Sequence, residues 1–172
     1  VSLFTGNHDL WQNDYFEKEL GVTLYRNPIE RTWNGKHFLI GHGDGLGPGD
    51  HGYKFMKKVF TNPLCQWLFK WLHPDLGMKL AGYFSYKSRY ANGTVPMETF
   101  QGEDKEWLIQ YCKRKLGSKT YNYFIFGHRH LPIDFKFNDD CRYINTGDWL
   151  SYYTYAVFDG TTLELKTSGK DS

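Results

Sequence analysis

Three histidine-bearing segments lie far apart in a chain of 172 residues: Gly6-Asn7-His8-Asp9, Gly41-His42-Gly43-Asp44 and Gly127-His128-Arg129-His130. A carboxamide oxygen and neutral imidazoles are the donors expected of a borderline divalent metal such as Mn, Fe, Zn or Co. One histidine alone is more often a hydrogen-bonded core or surface imidazole. Here the same context recurs three times, and the recurrence points to shared work.

The context is a strand followed by glycine. Val1 to Thr5, His37 to Ile40 and Tyr123 to Phe126 are rich in the aromatic and branched residues that suit strands. Ligand sites of open α/β sheets gather just beyond the carboxyl ends of strands. Glycine there lets the backbone turn sharply. The three segments therefore read as strand ends delivering ligands to one place.

The elements between them follow from periodicity and turn chemistry. Leu10 to Leu20 reads as a helix stopped by Gly21, with Asp9 as a possible N-cap, and Val22 to Tyr25 as a strand. Asn34-Gly35, between Ile29 to Trp33 and Lys36 to Ile40, predicts a tight hairpin leading into His42. His37 lies on that strand and is not expected to be a ligand. Tyr53 to Phe60, Pro63 to Leu72 and Asp75 to about Lys87 are helical, punctuated by Asn62-Pro63 and His73-Pro74. Leu64, Trp67, Leu68, Trp71 and Leu72 form an apolar stripe that either packs on neighbouring helices or receives an apolar ligand. Glu103 to Leu116 is a further amphipathic helix, burying Trp107, Leu108, Tyr111, Cys112 and Leu116. Pro132 to Phe137, Cys141 to Thr146, Tyr152 to Phe158 and Thr161 to Lys166 read as antiparallel strands of a second sheet.

Length predicts a single domain, 1–172, with a core that needs no staples. Cys65, Cys112 and Cys141 are widely spaced and odd in number, which fits a reducing compartment and excludes a Cys-x-x-Cys zinc motif. No apolar run approaches the roughly 18 residues of a spanning helix. The net charge of +2 argues against a nucleic-acid partner. From 45 to 100, however, seven basic residues stand against three acidic ones amid dense aromatics. Such a segment suits an anionic membrane surface or a phosphorylated amphiphile.

Gly6-Asn7-His8-Asp9, the Gly-His-Gly-Asp of His42 and the Gly-His-x-His of His128 and His130 resemble the last three signature blocks of the calcineurin-like metallophosphoesterases. Within that superfamily, Gly41 to Asp44 with Asp50-His51-Gly52-Tyr53, Gly127 to Pro132, and Asn145-Thr146-Gly147-Asp148-Trp149 look most like the UDP-2,3-diacylglucosamine pyrophosphatases of lipid A synthesis. The resemblance implies an α/β (α+β) fold, a β-sandwich flanked by helices with a helical cap inserted over 45–100. Two earlier blocks of the family, Asp-x-His and Gly-Asp, do not precede Val1, so the chain is read as lacking the amino-terminal part of the domain.

The same resemblance implies two divalent metals, Mn2+ first among them, held by Asn7, His42 and His128 on one side and by His130 on the other. It implies His8 as a phosphate contact or general acid, oriented by Asp9 or Asp44. Many pyrophosphatases of this type carry arginine where this chain has His8. Substrate contacts would come from Asp50, Tyr53, Arg129, Lys79, Lys87, Arg89 and Asn92, each lysine being equally consistent with a solvated helix face. His51 and His73 have no assigned role. The implied reaction cleaves a lipid-linked nucleotide sugar in the cytoplasm, at the inner-membrane surface and peripheral to it. Alternatives are a metallophosphoesterase acting on another phosphate ester or nucleotide, and a non-catalytic scaffold of the same fold.

Overall fold

The computed structural model describes residues 1–10, 14–49, 51–73, 75–80, 82–83 and 99–169. The chain forms two compact units, Val1–Gly49 with Met97–Ser172, and Asp50–Pro96. The first unit is an α+β arrangement built on a five-stranded mixed sheet. Its strands are β3 (Ile29–Trp33), β4 (Lys36–Ile40), β5 (Tyr123–Phe126), β6 (Pro132–Asn138) and β7 (Cys141–Thr146), in the order β3-β4-β5-β7-β6. The central pairs β4–β5 and β5–β7 are parallel and the outer pairs antiparallel. Two smaller ladders form separate sheets. β1 (Ser2–Phe4) pairs in parallel with β2 (Thr23–Tyr25), and β8 (Thr154–Phe158) pairs antiparallel with β9 (Leu163–Thr167).

Side-chain alternation along the central strands divides the core into two layers. Leu39, Phe124 and Tyr143 share one row and face a cluster containing Leu108, Ile109 and Cys112 of helix α4 (Trp107–Leu116). The next row, Ile40, Ile125 and Ile144, faces the opposite way with Phe38, against Ala156 and Phe158 of β8 and Leu163 and Leu165 of β9. Phe38, Phe124 and Ile144 are fully buried, each contributing about 1.5–3 kcal/mol through removal from water. A helix on one face and a hairpin on the other hold the carboxyl ends of β4 and β5 rigidly side by side.

The hairpin expected at Asn34-Gly35 forms with the expected strand limits, both turn residues taking positive φ. Other expectations need correction. β6 and β7 belong to the main sheet rather than to a second one, because β7 pairs with β5, a partner distant in sequence. β9 begins at Leu163, not Thr161, because Asp159 Oδ1 accepts the backbone N–H groups of Thr161 and Thr162 and turns the chain there. Helix α1 spans only Tyr15–Leu20, with Asp14 rather than Asp9 at its N-cap. Helix α4 starts at Trp107, which is half exposed, and Ile109 takes the buried place.

The second unit contains α2 (His51–Thr61) and α3 (Pro63–Lys70). Asn62 caps α3, its Oδ1 accepting from Leu64 N at 2.9 Å and Cys65 N at 3.3 Å, with Pro63 in the first helical turn. Residues 75–80 are helical as well. Leu64, Trp67, Leu68 and Trp71 are 63%, 54%, 55% and 77% exposed. Among the described residues, four of the five members of the apolar stripe read from the sequence are thus exposed, and Leu72 is half-buried.

Candidate metal centre

Each predicted ligand segment leaves a strand end as expected. Beyond β1, Thr5 extends the parallel ladder through its N–H to Tyr25 O at 3.0 Å, and Asp9 N bonds to Gly6 O at 3.1 Å to close a turn carrying Asn7 and His8. Beyond β4 comes His42, and beyond β5 comes His128. The neighbouring strands stay zipped past their ends: Gly41 N reaches Ile125 O at 3.1 Å and Gly127 N reaches His42 O at 2.9 Å.

These turns converge. His42 Nε2 lies 3.3 Å from Asn7 Oδ1, a hydrogen bond when the ring nitrogen is protonated and two facing lone-pair donors when it is not. The rings of His42 and His128 meet edge to face, centroids 5.2 Å apart. Two glycines make the approach possible. A Cβ on Gly6 would stand 2.6 Å from both Cε1 and Nε2 of His42, so the imidazole occupies the space a side chain would need. Gly43, with φ of 117°, sits between Leu108 and the Cβ of His128.

A neutral oxygen and two imidazole nitrogens are a donor set that suits a divalent cation. Asn7, His42 and His128 fit one half of such a centre. Among the described residues there is no group of three or more His, Cys, Asp or Glu side chains that could hold a metal ion. His130 is exposed on the turn beyond His128. Both histidines hold left-handed backbone, φ 65° and 55°.

The remaining predicted residues that the structure describes belong to both units. His8 and Asp9 are exposed on the β1 turn, and Asp44 is buried beyond β4. Arg129 was expected at substrate phosphate, yet its guanidinium grips Glu106, Nε to Oε2 at 3.0 Å and Nη2 to Oε1 at 3.2 Å. Tyr53 is half-buried on α2 and Lys79 is exposed, both in the second unit. Asp50, Lys87, Arg89 and Asn92 lie outside the described residues.

Two residues near the cluster were given no role from the sequence, although Asn145 stands in one of the motifs that carry the resemblance. Asn145, fully buried at the end of β7, donates from Nδ2 to Gly127 O and to Tyr143 Oη, and accepts Gly147 N on Oδ1. Glu106, also buried, occupies the N-cap of α4 without capping it. A glutamate where Ser, Thr, Asp or Asn is usual was the available signal. Nearby, Asp148 has its carboxyl held below the usual range, chiefly by the Ser151 N–H.

No protein-family model matches the chain. It is similar to a UDP-2,3-diacylglucosamine hydrolase of Porphyromonas gingivalis, 36% identical over 178 residues, which takes in 97% of this chain and 68% of that protein. A UDP-2,3-diacylglucosamine hydrolase of Pseudomonas putida is 30% identical over 152 residues, 87% of this chain and 61% of its own length. One from Yersinia pseudotuberculosis is 28% identical over 127 residues, 74% of this chain and 51% of its own length. The chain thus spans between 51% and 68% of the length of these relatives. With an identity of 36% that extends over nearly its whole length, the chain belongs to the UDP-2,3-diacylglucosamine hydrolase family.

Proposed function

We propose that the protein is a metal-dependent phosphoesterase that hydrolyses the pyrophosphate of UDP-2,3-diacylglucosamine, yielding the diacylglucosamine 1-phosphate known as lipid X and UMP, a step of lipid A biosynthesis. The observation that carries this reading is the meeting of Asn7, His42 and His128 at three strand ends, in a chain related to enzymes of that name. Asn7, His42 and His128 would hold one divalent ion and His130 would serve a second, with Mn2+ the first choice and Fe, Zn or Co as alternatives. Bound there, such ions supply a water of lowered pKa and neutralise charge developing on the phosphoryl oxygens.

The chain's own residues do the rest. Asn7 donates an oxygen without adding negative charge. His8, exposed beside Asn7, contacts phosphate or hands a proton to the departing group, with Asp9 or Asp44 orienting its ring. Asp50, Tyr53, Lys79, Lys87, Arg89 and Asn92 contact the diphosphate and glucosamine of the substrate. The outward apolar faces of α3 and its neighbours, carried on a helical cap over 45–100, receive acyl chains. No described helix is long and apolar enough to cross a membrane. We place the protein in the cytoplasm, peripheral to the inner membrane, where this substrate is presented.

The test is Mn2+-dependent release of UMP from UDP-2,3-diacylglucosamine by the full-length protein, with His42→Ala as control and a water-soluble nucleotide diphosphate as competing substrate. Activity on the lipid, abolished in the control and far weaker on the soluble compound, supports the assignment. Activity on the soluble compound alone keeps the metal chemistry and removes the lipid. Silence on both, with Mn2+ bound or not, favours a scaffold.

A further inference from the structure

The turn that presents His128 and His130 is costly on its own. Non-glycine residues in the left-handed region each cost about 1–2 kcal/mol, and such conformations persist only where surrounding structure over-determines them. Here the turn is held from three directions. Toward β4, Gly127 N bonds to His42 O. Toward β7, the Gly127 carbonyl accepts from Asn145 Nδ2, and within the turn it accepts from Arg129 N at 2.7 Å. Toward α4, the Arg129 side chain lies in a fork on Glu106 and donates from Nη2 to Thr99 O at 2.8 Å.

The third hold is unusual in its composition. The side chains of Glu106 and Arg129 are only 5% and 16% exposed. A buried pair of this kind is weak evidence for stability, because desolvation of two charges offsets their attraction. What the two-pronged bond does supply is direction. It fixes the one residue between two left-handed histidines to a rigid helix end. Glu106 serves this bond where an N-cap residue would serve the helix, and its Oε1 further takes Gln101 N at 3.3 Å.

We propose that Glu106 and Arg129 form a positioning strut that sets the orientation of His128 and His130 toward the metal, and that Arg129 acts through this bond rather than on substrate phosphate. The inference rests on the metal reading of His128 and His130 given above. Groups that orient ligands from behind typically alter metal affinity 10- to 100-fold when lost. The strut has no covalent or redox step of its own. Its effect is geometric.

The experiment is a double-mutant cycle in the full-length protein, reading Mn2+ affinity by the free-ion EPR signal, KM and kcat for UMP release, and the ring resonances of His128 and His130 by NMR. Glu106→Leu, Arg129→Met and the double variant are compared, with Arg129→Lys keeping the charge but losing the fork. The expected result is a loss of Mn2+ affinity of roughly 10- to 100-fold in each single variant and in Arg129→Lys, the double variant losing no more than a single. The double variant folds, since an apolar pair replaces an ionic one of similar volume, while its histidine resonances shift. Unchanged Mn2+ affinity with a raised KM in the Arg129 variants alone would overturn the strut and return Arg129 to the substrate. Shifted histidine resonances without Mn2+ binding in any form, including the unsubstituted protein, would instead remove the metal reading on which it rests.

Discussion

The imidazole of His42 fills the space that a side chain on Gly6 would occupy, its Nε2 standing 2.6 Å from the position of the absent Cβ. The absence of one carbon at the end of β1 therefore decides where the imidazole of His42 beyond β4 points. Gly6→Ala should push the ring away from Asn7. The displaced atoms are the far end of a side chain that can rotate, so stability should change by no more than about 1 kcal/mol. Mn2+ affinity should fall by at least about tenfold. Thermal unfolding and an Mn2+ titration of the same sample check both halves, and unchanged affinity would show that the contact does not set the ring.

Asn145 offers the opposite balance, a polar side chain that supports the turn from inside the core. Asn145→Ala removes two donors and an acceptor from a fully buried position, taking this partner from Gly147 N and Tyr143 Oη and leaving Gly127 O with Arg129 N. The expected cost is about 2–3 kcal/mol, from the desolvation of the groups left behind. Asn145→Asp should cost at least as much, because it aims a carboxylate oxygen at the Gly127 carbonyl. Urea unfolding at neutral pH measures both.

Local chemistry was legible in the sequence and partnership across the chain was not. Asn34-Gly35 accepts positive φ and so announced a hairpin whose limits the structure reproduces. The strand-glycine-histidine pattern likewise placed Asn7, His42 and His128 correctly at strand ends. By contrast, that β7 would pair with β5 depends on a contact between segments separated by β6, and no local signal encodes it. The same holds for Glu106, which reads as one more charge at the start of an amphipathic helix until Arg129 arrives beside it. Arg129 itself was assigned to phosphate because a guanidinium suits phosphate oxygens, and a carboxylate satisfies the same fork. The orientation of the α3 stripe was ambiguous for a similar reason, since periodicity marks an apolar face and not its partner.

Cys112 and Cys141 are buried and Cys65 is partly exposed. Burial pushes the Cys141 thiol up to about 11 from an ordinary value of 9.0, and Cys112 is raised further for the same reason. A thiol whose folded pKa is raised binds its proton more tightly in the folded state. Its contribution to stability is complete below the unfolded pKa and is lost as pH rises through the folded one. The urea midpoint should therefore fall steadily above the ordinary value of 9.0 and toward 11. At pH near 8, a soluble thiol reagent should modify Cys65 first and reach the other two only on unfolding. Rapid labelling of Cys141 in folded protein would contradict the burial that raises it.

Trp67 and Trp71 lie edge to face, centroids 5.8 Å apart, on the outward side of α3 and just beyond it. Exposed lysines at 58 and 70 accompany them. If this face receives acyl chains, its aromatic surface is dispensable for folding and required for the lipid. The variant Trp67→Ser with Trp71→Ser should then unfold within about 0.5 kcal/mol of the parent, as surface substitutions do. Each indole that leaves water on binding contributes about 1.5–3 kcal/mol, so KM for the diacylated substrate should rise at least tenfold while cleavage of a soluble nucleotide diphosphate is unchanged. A loss of stability instead would mean that the face is packed in solution. Full activity on the lipid in a stable double variant would mean that acyl chains are held elsewhere, and would leave the metal assignment at Asn7, His42 and His128 intact.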